Sequence, residues 1–249
     1  MIQLKRNRFL YWLGVSLLLS LLFSDSLLAA VSLRKKDDSL QLPERPALAI
    51  KQKPQRTAQD FLNADTKEIS EHSFFQTAAF IGDSITQGLT LLEAFDTRPI
   101  MANLGLTLAK AKNNLEDWKA DRVETIFILL GINDMTYYDM DTETYITRYG
   151  DLLSALRERF PEAVLVVQSI LPVANSYDHP KINNEIITTF NAALKEYCLQ
   201  HEVLFAEICQ PFCLEDGSLN PNFSPDGLHL FYQFYGAWLA QLEYIVEYS

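Results

Sequence analysis

From residue 77 onward, short apolar runs alternate with longer amphipathic ones, and this alternation restricts the fold more than any other feature. The runs 77–81, 99–102, 125–130, 163–169 and 203–206 read as strands. The second is short and opens on Pro99, which suits only the first position or edge of a strand. Helical patterns fall between and after them, at 86–95, 107–118, 142–160, 182–201 and 231–248. Within 182–201, Ile186, Ile187, Phe190, Leu194 and Tyr197 recur at three- and four-residue spacing, the signature of one helical face. Strand then helix, repeated, implies a parallel sheet covered on both sides. Right-handed crossovers reduce the topology to a few doubly wound forms. No internal repeat or low-complexity segment interrupts the pattern.

The length of 249 residues and the 48% apolar content suit one globular domain with additional sequence. The formal net charge is −11; residues 1–30 contribute +2, so the remainder carries −13. So acidic a body argues against nucleic acid and against adhesion to anionic lipid. Lys5, Arg6 and Arg8 precede an apolar stretch from Phe9 to Phe23, followed by Asp25 and Ser26-Leu27-Leu28-Ala29-Ala30. A basic segment, an apolar core and small residues describe a secretory signal. An uncleaved anchor fits as well, although the stretch is shorter than the roughly 20 residues that span a bilayer. Leu28 spoils the small-x-small cleavage pattern, so both readings stay open. Either one exports the domain, free or tethered to the membrane.

Residues 31–70, polar and carrying Pro43, Pro46 and Pro54, read as a linker, with the folded domain at 71–249. Of the three cysteines, Cys209 and Cys213 are close enough to pair in an oxidising setting, which leaves Cys198 over. Incidental burial is the plainer reading of all three. No histidine accompanies them at zinc-like spacing, and no metal site is expected.

The chemistry-bearing residues cluster at predicted strand ends. Gly82-Asp83-Ser84 closes the first strand, where a hydroxyl emerges at the carboxyl edge of the sheet. Alone, it is most simply a strand-to-helix turn with a capping side chain. The stretch 82–88 also resembles a phosphate-cradling loop but lacks the Gly-Lys-Ser/Thr ending. Asn103-Leu104-Gly105 follows the second strand and Gly131-Ile132-Asn133-Asp134 the third. Near the end of the chain, Asp226 stands three residues before His229. Together they supply a nucleophile, a base and its orienter, while the backbone N–H groups of Ser84 and Gly105 and the Asn133 amide can serve a developing oxyanion. His72, His179 and His201 fit surface or structural roles better.

These four segments, in this order, resemble the SGNH hydrolase family, also called GDSL esterases and lipases. The resemblance covers about residues 74–248 and departs from the family name only at Ile85, where Leu would stand. It implies a flavodoxin-like three-layer α/β/α sandwich with a five-stranded parallel sheet, and hydrolysis of carboxylic esters without metal or cofactor. It also implies Ser84 as nucleophile, His229 as base then acid, Asp226 as its orienter, and an oxyanion hole of Ser84, Gly105 and Asn133. Deacylation of cell-wall or exogenous glycans is the first expectation for the substrate. A lysophospholipase or other lipid esterase, or a non-catalytic glycan-binding domain, is the alternative. A flavin-type electron carrier would leave serine, asparagine and histidine coincidental. The polar, aromatic segment 135–139 stays unassigned, and the sequence leaves the oligomeric state open.

Overall fold

The computed structural model describes residues 53–138 and 140–249; the expected signal or anchor at 1–30 and the linker up to residue 52 lie outside them. Five parallel strands form one sheet in the order β2-β1-β3-β4-β5. They are β1 (Ala78–Gly82), β2 (Ile100–Ala102), β3 (Thr125–Leu129), β4 (Val164–Gln168) and β5 (Leu204–Ala206). All five coincide with the expected apolar runs: β1 is shifted by one residue to end on Gly82, and the other four are trimmed by one residue at one or both ends.

Alternation along the strands divides the core into two layers. Ala79 and Ile81 of β1, with Ile126, Ile128 and Val167, face one side. There they meet α4 (Leu108–Asn113), α6 (Thr142–Arg159) and α7 (Asn184–Gln200) through Leu108, Leu152, Leu156, Ile187 and Leu194. Ala78 and Phe80, with Phe127, Leu129 and Val166, face the other and pack under Trp238, Leu239 and Leu242 of α8 (Tyr235–Glu247). Side chains in a strand alternate sides, so five apolar residues in a row feed both layers at once. The result is the expected three-layer α/β/α sandwich.

The domain begins earlier than the sequence suggested. Residues 57–70, assigned to the linker, fold into α1 (Ala58–Leu62) and α2 (Thr66–Ser70). Thr57 and Asp60 form a reciprocal capping box at the start of α1, and Asp65 caps α2. Two helices this short cannot hold themselves; burial does it. Phe61 is fully buried and packs edge-on against Tyr244 at 5.5 Å, and Ile69 is buried in the same layer. Only three large apolar residues, Phe61, Leu62 and Ile69, mark this stretch, too few to raise a periodic signal.

Other boundaries moved as well. The helix expected at 86–95 stops as α3 (Ser84–Gln87) and continues as two 3₁₀ turns. At Gly88 the chain passes against the Tyr235 ring, where a Cβ would lie 2.1 Å from the hydroxyl oxygen. The unassigned segment after Asn133 forms α5 (Ile132–Tyr138), with Met135 buried. Cys209 and Cys213 form a disulfide in the loop after β5, and Cys198 is a buried free thiol.

Phe61→Ala is expected to lower stability by about 3–5 kcal/mol, as a fully buried aromatic does. Chemical denaturation checks this. A loss under about 1 kcal/mol would mean that α1 is not part of the cooperative domain.

Candidate active site

Parallel pairing ends three strands at one level. Gly82 of β1 lies opposite Ala102 of β2 and Leu129 of β3. The segments that follow them therefore emerge side by side. The strand order reverses between β1 and its neighbours, the switch point at which open α/β sheets hold ligands. A Cβ on Gly82 would sit 1.9 Å from Thr86 Oγ1 and 2.9 Å from the Leu129 carbonyl oxygen. Only a hydrogen fits there, and α3 starts directly on the strand end. Asp83 caps that helix, accepting from the Ile85 N–H at 3.1 Å. Ser84 opens it, so its own N–H has no acceptor within the helix.

The Ser84 hydroxyl lies 2.9 Å from His229 Nε2, across 145 residues of chain. His229 Nδ1 lies 2.7 Å from Asp226 Oδ2. The other carboxylate oxygen accepts from the Leu228 and His229 N–H groups at 3.0 and 2.8 Å. Burial raises the Asp226 pKa, but the His229 N–H, the His229 ring and the Leu228 N–H outweigh it and bring the carboxyl to about 2. An ionised Asp226 can only accept, so the ring proton sits on Nδ1 and the Nε2 lone pair faces the Ser84 hydroxyl. Gly227, at φ 85°, turns the backbone so that both N–H groups reach the one carboxylate. The Ser224 hydroxyl accepts from its N–H at 2.7 Å.

Asn133 is the second residue of α5. Its amide donates to Asp83 Oδ2 and to the Leu106 carbonyl, both at 3.3 Å. Those contacts are long for hydrogen bonds, and a charged oxygen nearby can outcompete them. Gly105 is buried between Leu104, which lines the cavity, and Leu106, which Asn133 holds. The next residue of α5, Asp134, is fully buried and accepts from the Leu108 N–H at 3.2 Å, pinning the start of α4 to α5. Desolvation raises both Asp83 and Asp134 to about 6, against the helix N–H groups that favour their charged forms.

Ser84, Asn133 and His229 share a cavity of about 420 Å3. Its apolar wall includes Ile85, Leu104, Ile132 and Leu228; Thr136, His179 and Lys181 supply polar groups. A larger cavity of about 1050 Å3, along α2 and Leu91–Glu93, contains none of the three, so size does not mark the chemistry. Two of the set-aside histidines are structural: His72 pairs with Glu243 at 3.1 Å and His201 stacks on Tyr197. The third departs from expectation. His179 lies in the loop after β4 and lines the cavity, as do the loops after β1, β2 and β3. Applying the strand-end rule to β4 would have found it.

The site serine, asparagine and histidine all fall inside residues 80–235, which match the model of the GDSL-like Lipase/Acylhydrolase family. An N-acylneuraminate cytidylyltransferase of Streptococcus agalactiae is 29% identical over 150 residues, 60% of this chain and 33% of the relative. The chain thus spans about a third of the length of the curated relatives it matches. Among solved structures, a Streptococcus pneumonia protein provisionally described as a platelet activating factor is 24% identical. It superposes with a TM-score of 0.60 over 72% of this chain and 89% of its own. A GDSL-like lipase from Bacteroides thetaiotaomicron is 18% identical, with a TM-score of 0.58 over 75% and 98%. At such identities the structural likeness speaks for the fold.

The two raised carboxyls predict a pH dependence of stability. A folded-state pKa of about 6, above the unfolded value near 3.9, means that the folded protein binds more protons between those values. Stability is then highest below about pH 4 as far as these groups are concerned, and falls as pH rises through 6. Asp83→Asn should flatten this fall in thermal melts between pH 4 and 7. Parallel melting curves for variant and parent would contradict the raised pKa.

Proposed function

The chain belongs to the GDSL-like lipase/acylhydrolase family, and we propose that it is an ester-bond hydrolase with Ser84 as its nucleophile. The Ser84–His229–Asp226 relay, at 2.9 and 2.7 Å, carries this reading. The Ser84 oxygen attacks the ester carbonyl carbon while its proton passes to His229 Nε2. The carbonyl oxygen becomes an oxyanion, met by the Ser84 and Gly105 N–H groups and by the Asn133 amide, which turns from Asp83 and Leu106. Collapse breaks the ester bond, and the alcohol leaves with the proton from His229. Water then gives its proton to the same nitrogen and attacks the acyl carbon; the bond to Ser84 breaks, the acid leaves, and His229 returns the proton to the Ser84 oxygen. Asp226 keeps its charge throughout and stabilises the imidazolium.

The substrate we propose is a short acyl group, acetyl foremost, on a sugar or glycan. A cavity of about 420 Å3 lies toward the small end of ligand pockets, which suits a sugar ring and a short acyl chain better than a phospholipid. The Streptococcus agalactiae relatives are named for N-acylneuraminate, an acylated sugar, which agrees with this choice without carrying it. We further propose that the domain works outside the cytoplasm. The Cys209–Cys213 disulfide supports that location, since such bonds persist in oxidising compartments, as does the basic and apolar sequence at residues 1–30.

A fluorophosphonate probe should label the parent and not Ser84→Ala. An unlabelled parent would favour a glycan-binding domain over an enzyme. Asn133→Ala should keep its circular dichroism and lose about 100- to 1000-fold in kcat on an aryl acetate. Parent-like turnover would remove Asn133 from the oxyanion hole.

A further inference from the structure

The bond changes at Ser84 assign sides to the cavity. His229 must hand its proton to the departing alcohol, so the alcohol oxygen sits beside His229 Nε2. The rest of the alcohol then extends along the wall next to the 226–229 loop. Tyr177 stands on that wall. It lines the cavity together with Leu228 and His229, and a Cβ on Gly227 would meet its Cβ at 3.3 Å and its Cδ2 at 3.6 Å. The loop after β2, with Leu104 and Gly105, emerges on the opposite flank of β1 from the loop after β4 that carries Tyr177.

The ring is held in place from several directions. The Tyr177 N–H donates to the Ala174 carbonyl at 2.9 Å, and the Ala174 N–H donates to the Gly227 carbonyl at 2.8 Å, which ties the loop to the turn between Asp226 and His229. At the base of the loop, Asn184 of α7 accepts from the Val173 N–H at 2.8 Å and donates to the Val173 carbonyl at 2.9 Å. Part of Tyr177 packs on the core layer that contains Val173 and Ile182; the rest is open to the cavity. The His179 ring lies nearly parallel to it, at 13° with centroids 6.1 Å apart. Burial and the Asp226 charge raise the Tyr177 phenol above its usual pKa, so at neutral pH it is uncharged and offers a ring, not a phenolate. Among the described residues that line this cavity, Tyr177 alone carries a six-membered aromatic ring.

We propose that Tyr177 is the platform on which the sugar ring of an acylated pyranoside lies while its ester reaches Ser84. The inference rests on the esterase reading above and deepens it: the alcohol is a cyclic sugar, and one aromatic face selects it. A pyranose carries C–H bonds on its ring faces and hydroxyls around its edge. The C–H hydrogens are slightly positive and meet the negative face of the tyrosine ring, while the edge hydroxyls stay in water. An open-chain alcohol presents no rigid face of this kind and gives up more freedom to lie flat. The sugar ring takes no part in the bond changes, so the contact is made equally before and during reaction and is read in KM.

Acetate release is compared between a methyl glycopyranoside carrying one acetyl group and glycerol monoacetate, an open-chain ester with the same acyl group. The parent should prefer the pyranoside about tenfold or more in kcat/KM, mainly through KM. Tyr177→Ala should bring this ratio near one; Tyr177→Phe and Tyr177→Trp should keep it, since both present a ring without the phenol. Where Tyr177→Ala does not fold, Tyr177→Leu takes its place, and the parent comparison needs no variant. A ratio near one in the parent, a parent-like ratio in Tyr177→Ala, or a loss in Tyr177→Phe as deep as in Tyr177→Ala overturns the platform alone. No Ser84-dependent release from any ester overturns the esterase reading and this proposal with it.

Discussion

The level at which three parallel strands stop is the constraint that the rest of the molecule depends on. Gly82, Ala102 and Leu129 are in register, so Ser84, Gly105 and Asn133 arise from one edge of the sheet with no need for long loops. The Gly82 contact with the Leu129 carbonyl and Thr86 sets how closely α3 sits on that edge. A side chain there would lift the helix and with it the serine. Backbone hydrogen bonding between the parallel strands fixes that level. The proposed oxyanion donors take their relative placement from that register.

Around that edge, buried carboxyls act as fasteners. Asp83 joins the start of α3 to the Asn133 amide, and Asp134 joins the start of α4 to α5. Each therefore links two segments that come from different strands. Burial makes these contacts costly, as the raised pKa values of both groups record. Asp226 is the opposite case. Its two backbone donors and the His229 ring more than offset its partial burial, and it stays ionised. One site thus holds carboxyls tuned upward to fasten and one tuned downward to orient an imidazole.

Much of this was legible in the residues. The five strands, the layer architecture and the four site blocks each announce themselves locally, by an apolar run, by a glycine at a strand end, or by Asp-Gly-Leu-His ahead of a helix. The misreadings share a cause. α1 and α2 contain Phe61 and Ile69 but little periodicity, and they exist because α8 presents a surface to bury them. α5 reads as polar because one of its faces lines the site rather than the core. His179 looked incidental because its partners in the chain, the Lys181 N–H and the Tyr177 ring, are local loop contacts; its meaning comes from the cavity that the loops of β1, β2 and β3 complete.

By itself the sequence determined which residues are apolar at which spacing, hence the alternating elements, and which chemical groups stand at strand ends. Those are properties of neighbours along the chain. The tertiary structure alone decided the 2.9 Å contact between Ser84 and His229, the pairing of Cys209 with Cys213, the residues that wall the cavity, and where the domain begins. Each of these is a distance between atoms or a surface shared by segments far apart in sequence. Such quantities are set only when the whole sheet has assembled and its two layers have packed.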